Sequence, residues 1–188
     1  MPTFLSGLPL HPLVVHAVVV LVPLAVIGAV LVAVWPAARR RWGWPVVVVT
    51  ALAAISVPLA TSTGEGLEHN LPRTPAIADH AELGDQLLVF VGPLLVAVLA
   101  LVLVDHLRCR STDRETAVAR AEGPGSMAAP RIAERPARLA TVVLAVLTVV
   151  LAAVSAVQVV RIGDSGARAA WGEIHYAPQP RPTGAVED

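Results

Sequence analysis

Histidine carries most of the chemical potential in this chain of 188 residues with 6 histidines. His11 and His16 stand at the entrance to the first long apolar run, and His69 and His80 lie between the second and third. Glu65, Glu68, Asp79, Glu82 and Asp85 accompany the second pair, and Asp164 follows the fourth apolar run. Imidazoles brought together from separate segments can hold the iron of a haem, or can bind zinc or copper with a carboxylate.

Three readings of these residues stand side by side. In one, the histidines hydrogen-bond carboxylates such as Glu65 or Asp85 and close a helix bundle. In another, His16 and His80 are the axial ligands of a haem b held between helices. In the last, a transition metal takes His11, His16, His69 or His80 together with Glu65. His16 falls about one turn inside its apolar run, where an unpaired polar group is costly, so it should face the bundle or a partner. Gly84 stands one turn after His80 on the same face and would let something bulky approach the backbone. His69 follows Glu65 by four residues, the spacing of an exposed helical pair. His106 beside Asp105 reads as a helix end, and His175 with Tyr176 as tail.

Composition removes other chemistry. All 14 basic residues are arginine, so Schiff-base chemistry and a lysine nucleophile are excluded. Cys109 is the 1 cysteine, which excludes an intrachain disulfide, a thiolate zinc cluster and a covalent C-x-x-C-H haem attachment. No nucleophile–base pair, phosphate loop or paired-carboxylate spacing proposes a reaction. Nothing points to nucleic acid as a partner.

The elements that must position the histidines are apolar. The chain is 55% hydrophobic and 15% charged, with a mean hydropathy of +0.68. A soluble domain of this length could not hide so much apolar surface. Four stretches predict membrane-spanning helices, about 13–34, 45–63, 87–104 and 139–160. No Asp, Glu, Arg or Lys lies inside any of them, which argues against an ion-coupled transporter. Small residues mark contact faces: Ala25, Ala29 and Ala33 in the first span, and Thr141, Ala145, Thr148, Ala152 and Ser155 in the fourth. Short connections favour antiparallel neighbours, so the expected fold is all-α, a four-transmembrane-helix up-down bundle. No internal repeat is visible.

Arginine sets the expected orientation. Arg39, Arg40 and Arg41 follow the first span, and seven more arginines lie between the third and fourth. The positive-inside rule places both connections in the cytoplasm, with both termini and His11, His16, His69, His80 and His175 outside and His106 on the cytoplasmic side. Trp35, Trp42 and Trp44 mark the cytoplasmic boundary of the lipid. Residues 106–138, with Gly123-Pro124-Gly125-Ser126, read as a flexible cytoplasmic loop whose arginines rest on anionic headgroups. Residues 1–176 form the membrane domain, and 177–188 a disordered tail. No basic residue precedes the first span, so it reads as an anchor in the plasma (inner) membrane rather than a cleaved signal.

The opening Gly7-Leu8-Pro9-Leu10-His11-Pro12-Leu13-Val14-Val15-His16 resembles a family of small bacterial four-helix membrane proteins known as domain of unknown function 2231. Thr63-Gly64-Glu65-Gly66-Leu67-Glu68, His80-Ala81-Glu82-Leu83-Gly84 and Arg161-Ile162-Gly163-Asp164-Ser165-Gly166-Ala167 carry the same likeness. The likeness runs from the first residue to about Trp171 and implies a role for His11, His16, Glu65 and His80. Asp164 stands where relatives offer a further histidine. Some relatives look redox-associated, which favours the haem reading. The functional expectation is a membrane-bound redox or electron-transfer subunit with a redox partner protein or a second copy of itself. The competing expectation is a non-enzymatic scaffold or accessory subunit that binds a partner through its outer face.

Overall fold

The computed structural model describes residues 4–5, 8–68, 74–122 and 134–172. A two-residue antiparallel ladder, β1 (Phe4–Leu5) with β2 (Leu8–Pro9), leads into four helices. These are α1 (Leu10–Val34), α2 (Pro36–Glu68), α3 (Pro75–Glu122) and α4 (Glu134–Trp171). All four are long and apolar enough to cross a membrane, as the uninterrupted apolar runs require.

Each helix packs mainly on its two neighbours in a closed ring, α1 on α2 and α4, and α3 on α2 and α4, while α1 and α3 barely touch across the diagonal. Neighbours run antiparallel. Gly28 of α1 meets Val46 of α2, Gly43 of α2 meets Val102 of α3, and Gln158 of α4 donates to the Leu83 carbonyl of α3 at 3.1 Å. The start of α1 and the end of α4 therefore share one end, here the histidine end. The turn from α1 to α2 is a single residue, Trp35, at the opposite, arginine end. Pro36 then opens α2, a position where its missing N–H costs nothing.

Packing is inverted relative to a soluble protein. The interior is built of small residues, including Ala25, Ala29, Ala53 and Ala152, each 0% exposed. Large apolar side chains such as Ile27, Val89 and Val160 point outward, at 65%, 68% and 71% exposure. Lipid offers no hydrophobic drive for helix association, so close backbone approach and van der Waals contact hold the bundle together. Both expected small-residue faces are interior. Thr50 and Thr148 lie within that core and return their hydroxyls to the Val46 and Leu144 carbonyls one turn back, so neither is left unsatisfied.

Two features differ from the sequence reading. First, the expected flexible loop 106–138 is helix over most of its described length. α3 runs on to Glu122 and α4 begins at Glu134, while 123–133 lie outside the described residues. Asp105 and His106 consequently sit inside α3 and not at its end. α3 continues past Asp105 for about 25 Å at the usual helical rise. Second, the chain does repeat. One constant shift along the sequence carries His11 onto His80 and the buried Val18, Val22, Ala25, Ala29 and Val32 onto the buried Leu87, Val91, Leu94, Val98 and Leu101. A second constant shift carries the buried Thr50, Ala53 and Ser56 of α2 onto the buried Ala152, Ser155 and Gln158 of α4. The pair α3–α4 thus repeats α1–α2 about an axis running through the bundle.

Candidate functional site at the histidine end

His11 lies in the first turn of α1 and reaches across to the last turns of α2. Its Nδ1 is 3.1 Å from the Ala60 carbonyl and 3.2 Å from the Thr63 hydroxyl. A carbonyl can only accept, and the Thr63 hydroxyl itself donates to the Ala60 and Leu59 carbonyls at 2.9 and 3.0 Å. The proton of His11 therefore sits on Nδ1, and Nε2 carries the lone pair. The ring lies against Gly64, where an added Cβ would come within 3.0 Å of Cε1.

His80, in the second turn of α3, does the same with α4. Its Nδ1 is 3.0 Å from the Ser165 hydroxyl, which donates in turn to the Ile162 carbonyl at 2.9 Å. Ser165 must therefore accept from His80, which fixes the same tautomer. Its ring lies against Gly166, where a Cβ would again meet Cε1 at 3.0 Å. A histidine, a hydroxyl and a glycine thus recur in both halves, related by the two shifts that superpose the cores.

Burial holds the His11 imidazole below its ordinary pKa near 6.5, the Ala60 bond opposes this, and charge on His80 lowers it further. A neutral imidazole with its proton on Nδ1 is the form that ligates a metal, and the acceptor at Nδ1 fixes the ring as outer partners of ligating histidines do.

The shift has a testable consequence. The folded state disfavours the charged ring, so below pH about 6.5 the unfolded chain binds the extra proton. The stabilisation is therefore full above that value and is lost as pH falls toward the lower folded pKa. Melting temperature in detergent is expected to drop between about pH 7 and pH 5, and the drop should shrink in His11→Gln. Equal slopes for the two proteins would remove His11 as the cause.

The other expected residues are placed differently. His16 is exposed on α1 and Glu65 is exposed on α2, so the ring that shares the bundle end with His80 is that of His11. His69 and His175 lie outside the described residues. The bonds that hold His11 and His80 go to hydroxyls and a carbonyl, where carboxylates such as Glu65 or Asp85 were expected. Among the described residues no neighbour comes within 4 Å of a Cβ placed on Gly84; the glycines that a histidine ring packs against are Gly64 and Gly166. His106 is exposed and stacks edge-on against Trp44, with ring centroids 6.3 Å apart. Among the described residues no three histidine, cysteine or carboxylate side chains are grouped so as to hold a metal ion. What these residues bring together is a two-imidazole arrangement. Beside it, Asp79, Arg161, Asp164 and Arg168 line a cavity of about 240 Å³ between α3 and α4, and Arg168 pairs with Asp164 at 2.6 Å.

Comparison with known proteins agrees with this architecture. The family model described as Predicted membrane protein (DUF2231) matches residues 7–176. No curated protein and no solved structure matches the chain.

Proposed function

We propose, for a chain that belongs to the DUF2231 family of predicted membrane proteins, that it is a membrane-bound electron-transfer subunit whose His11 and His80 take a haem b at the outer face. The observation behind this reading is the matched pair of imidazoles, each anchored through Nδ1 to its own hydroxyl so that Nε2 is the ring nitrogen left to ligate. Two imidazoles with no third donor grouped beside them among the described residues suit the axial positions of a haem better than a tetrahedral zinc site, which needs three or four protein ligands. A haem b held there would carry one electron at a time between partners. The protein's own share is to hold the two rings by Thr63 and Ser165. The arginine asymmetry supports an outward-facing histidine end in the plasma membrane.

Absorption spectra of the detergent-purified protein, oxidised and dithionite-reduced after haem-supplemented expression, test this directly. A low-spin spectrum is expected, lost in His11→Ala and in His80→Ala and kept in His16→Ala. A colourless wild-type protein would sink the haem reading.

The exposure of His16 favours a second reading. His16 is exposed on the outer surface one turn inside the apolar stretch, and a partner protein docking there would make the chain an accessory subunit. Co-purification of a stoichiometric partner that His16→Leu releases, with no bound chromophore, would decide for this role.

A further inference from the structure

The arginine end contains a cavity of about 560 Å³ between α2, α3 and α4 that the reading above leaves without a role. Arg39, Arg40, Arg108 and Arg138 line it, opposed by Asp105 and Asp113, so the wall carries a surplus of positive charge. Arg39 is the unusual member. It is 6% exposed, yet among the described residues its Nε and Nη1 have no hydrogen-bond acceptor. Asp105 stands 3.6 Å from Nε, close enough for charge attraction and too far for a hydrogen bond. A buried guanidinium in this condition is strongly disfavoured unless an acceptor reaches it.

Neighbouring features point the same way. Arg39 and Arg40 sit in the opening turns of α2, and the first turn of that helix has no acidic residue. A helix N-terminus favours negative charge and disfavours the cations found here, so an anion would relieve both. Arg108 is held toward the cavity wall by its 2.8 Å bond to the Thr141 hydroxyl. Trp35, Trp42 and Trp44 are exposed around the same level, where indoles mark the headgroup layer.

We propose that this cavity binds a phosphate group, presented by a phospholipid headgroup or by a soluble phosphate compound. Arg39 is the buried anchor and Arg40 the rim contact. Guanidinium forks match the oxygens of a phosphate, which can meet two of them at once. Neither Nε nor Nη1 of Arg39 then remains unsatisfied.

The test is thermal stabilisation of the detergent-purified full chain by two probes. One is inorganic phosphate, and the other is phosphatidylglycerol in mixed micelles against phosphatidylcholine at equal concentration. Saturable stabilisation by either probe is expected. Phosphate alone assigns a soluble ligand, phosphatidylglycerol alone assigns a lipid, and both together assign a site open to either. Affinity should fall about tenfold or more in Arg39→Met and about threefold in Arg40→Gln, and rise in Asp105→Asn. Arg40 is exposed, so its variant remains informative even where Arg39→Met does not fold. Absence of stabilisation by both probes, or unchanged affinity in Arg40→Gln with Arg39→Met either unchanged or unfolded, would overturn the proposal.

Discussion

Asp105→Ala is expected to destabilise the protein by about 3 kcal/mol, the low end of the range for stranding one partner of a buried ion pair. The low end applies because the Asp105 side chain is 19% exposed and only the Arg39 side chain, at 5%, is shut away. Among the described residues Arg39 has no other counter-ion at so short a distance, and its Nε and Nη1 already lack acceptors there, so loss of the carboxylate leaves a charge that the surrounding helices cannot solvate. Replacing both partners by apolar residues, Arg39→Met with Asp105→Leu, should recover most of the loss, since an ion pair of this kind is often no better than a well-packed hydrophobic pair. Fluorescence-detected gel filtration across a temperature series separates the outcomes. A single variant that melts like the wild type would mean that water reaches Arg39 and that the pair contributes little.

The second large effect is expected at the two glycines under the histidine rings. In Gly64→Leu or Gly166→Leu the new Cβ begins 3.0 Å from an imidazole carbon, inside ordinary van der Waals contact. Neither ring can retreat without giving up its hydroxyl, and His11 would also lose the Ala60 carbonyl. Overpacking at about 1–3 kcal/mol and a lost hydrogen bond at about 1 kcal/mol together predict a loss of about 2–4 kcal/mol per site. Any chromophore held by the rings should go with it. Gly84→Ala is the control. That position is open, and alanine is the better helix former by about 1 kcal/mol, so its melting temperature should hold or rise. Loss of stability at Gly84 with none at Gly64 would reverse the assignment of the close contacts.

Hydropathy was enough to place the four spans, because a lipid interior leaves a backbone no alternative to helix. It could not say which histidine faces inward. α1 is apolar on every side from Leu13 to Val34 apart from His16, so it lacks the polar stripe that normally sets rotation. The partners Thr63 and Ser165 were hidden for a related reason. They sit far along the chain from His11 and His80, and carboxylates are the more obvious acceptors. The extension of α3 through Arg110 to Glu122 resembles a loop in its charge and in the glycines that follow. Its own residues, with alanine, arginine and glutamate in number, are good helix formers, and that signal was available. The repeat is not legible in the sequence because its two copies share few identities. What recurs is which positions are buried, a property that emerges only once the helices are packed.

The relation between the two halves restricts what can occupy the space they frame. In the proposed reading, a guest held by His11 and His80 would meet the same donor from each of the two repeated halves. Such a seat suits a guest that looks alike from either side, a flat macrocycle or a lone ion. A molecule with a distinct head and tail would engage one imidazole and leave its twin idle.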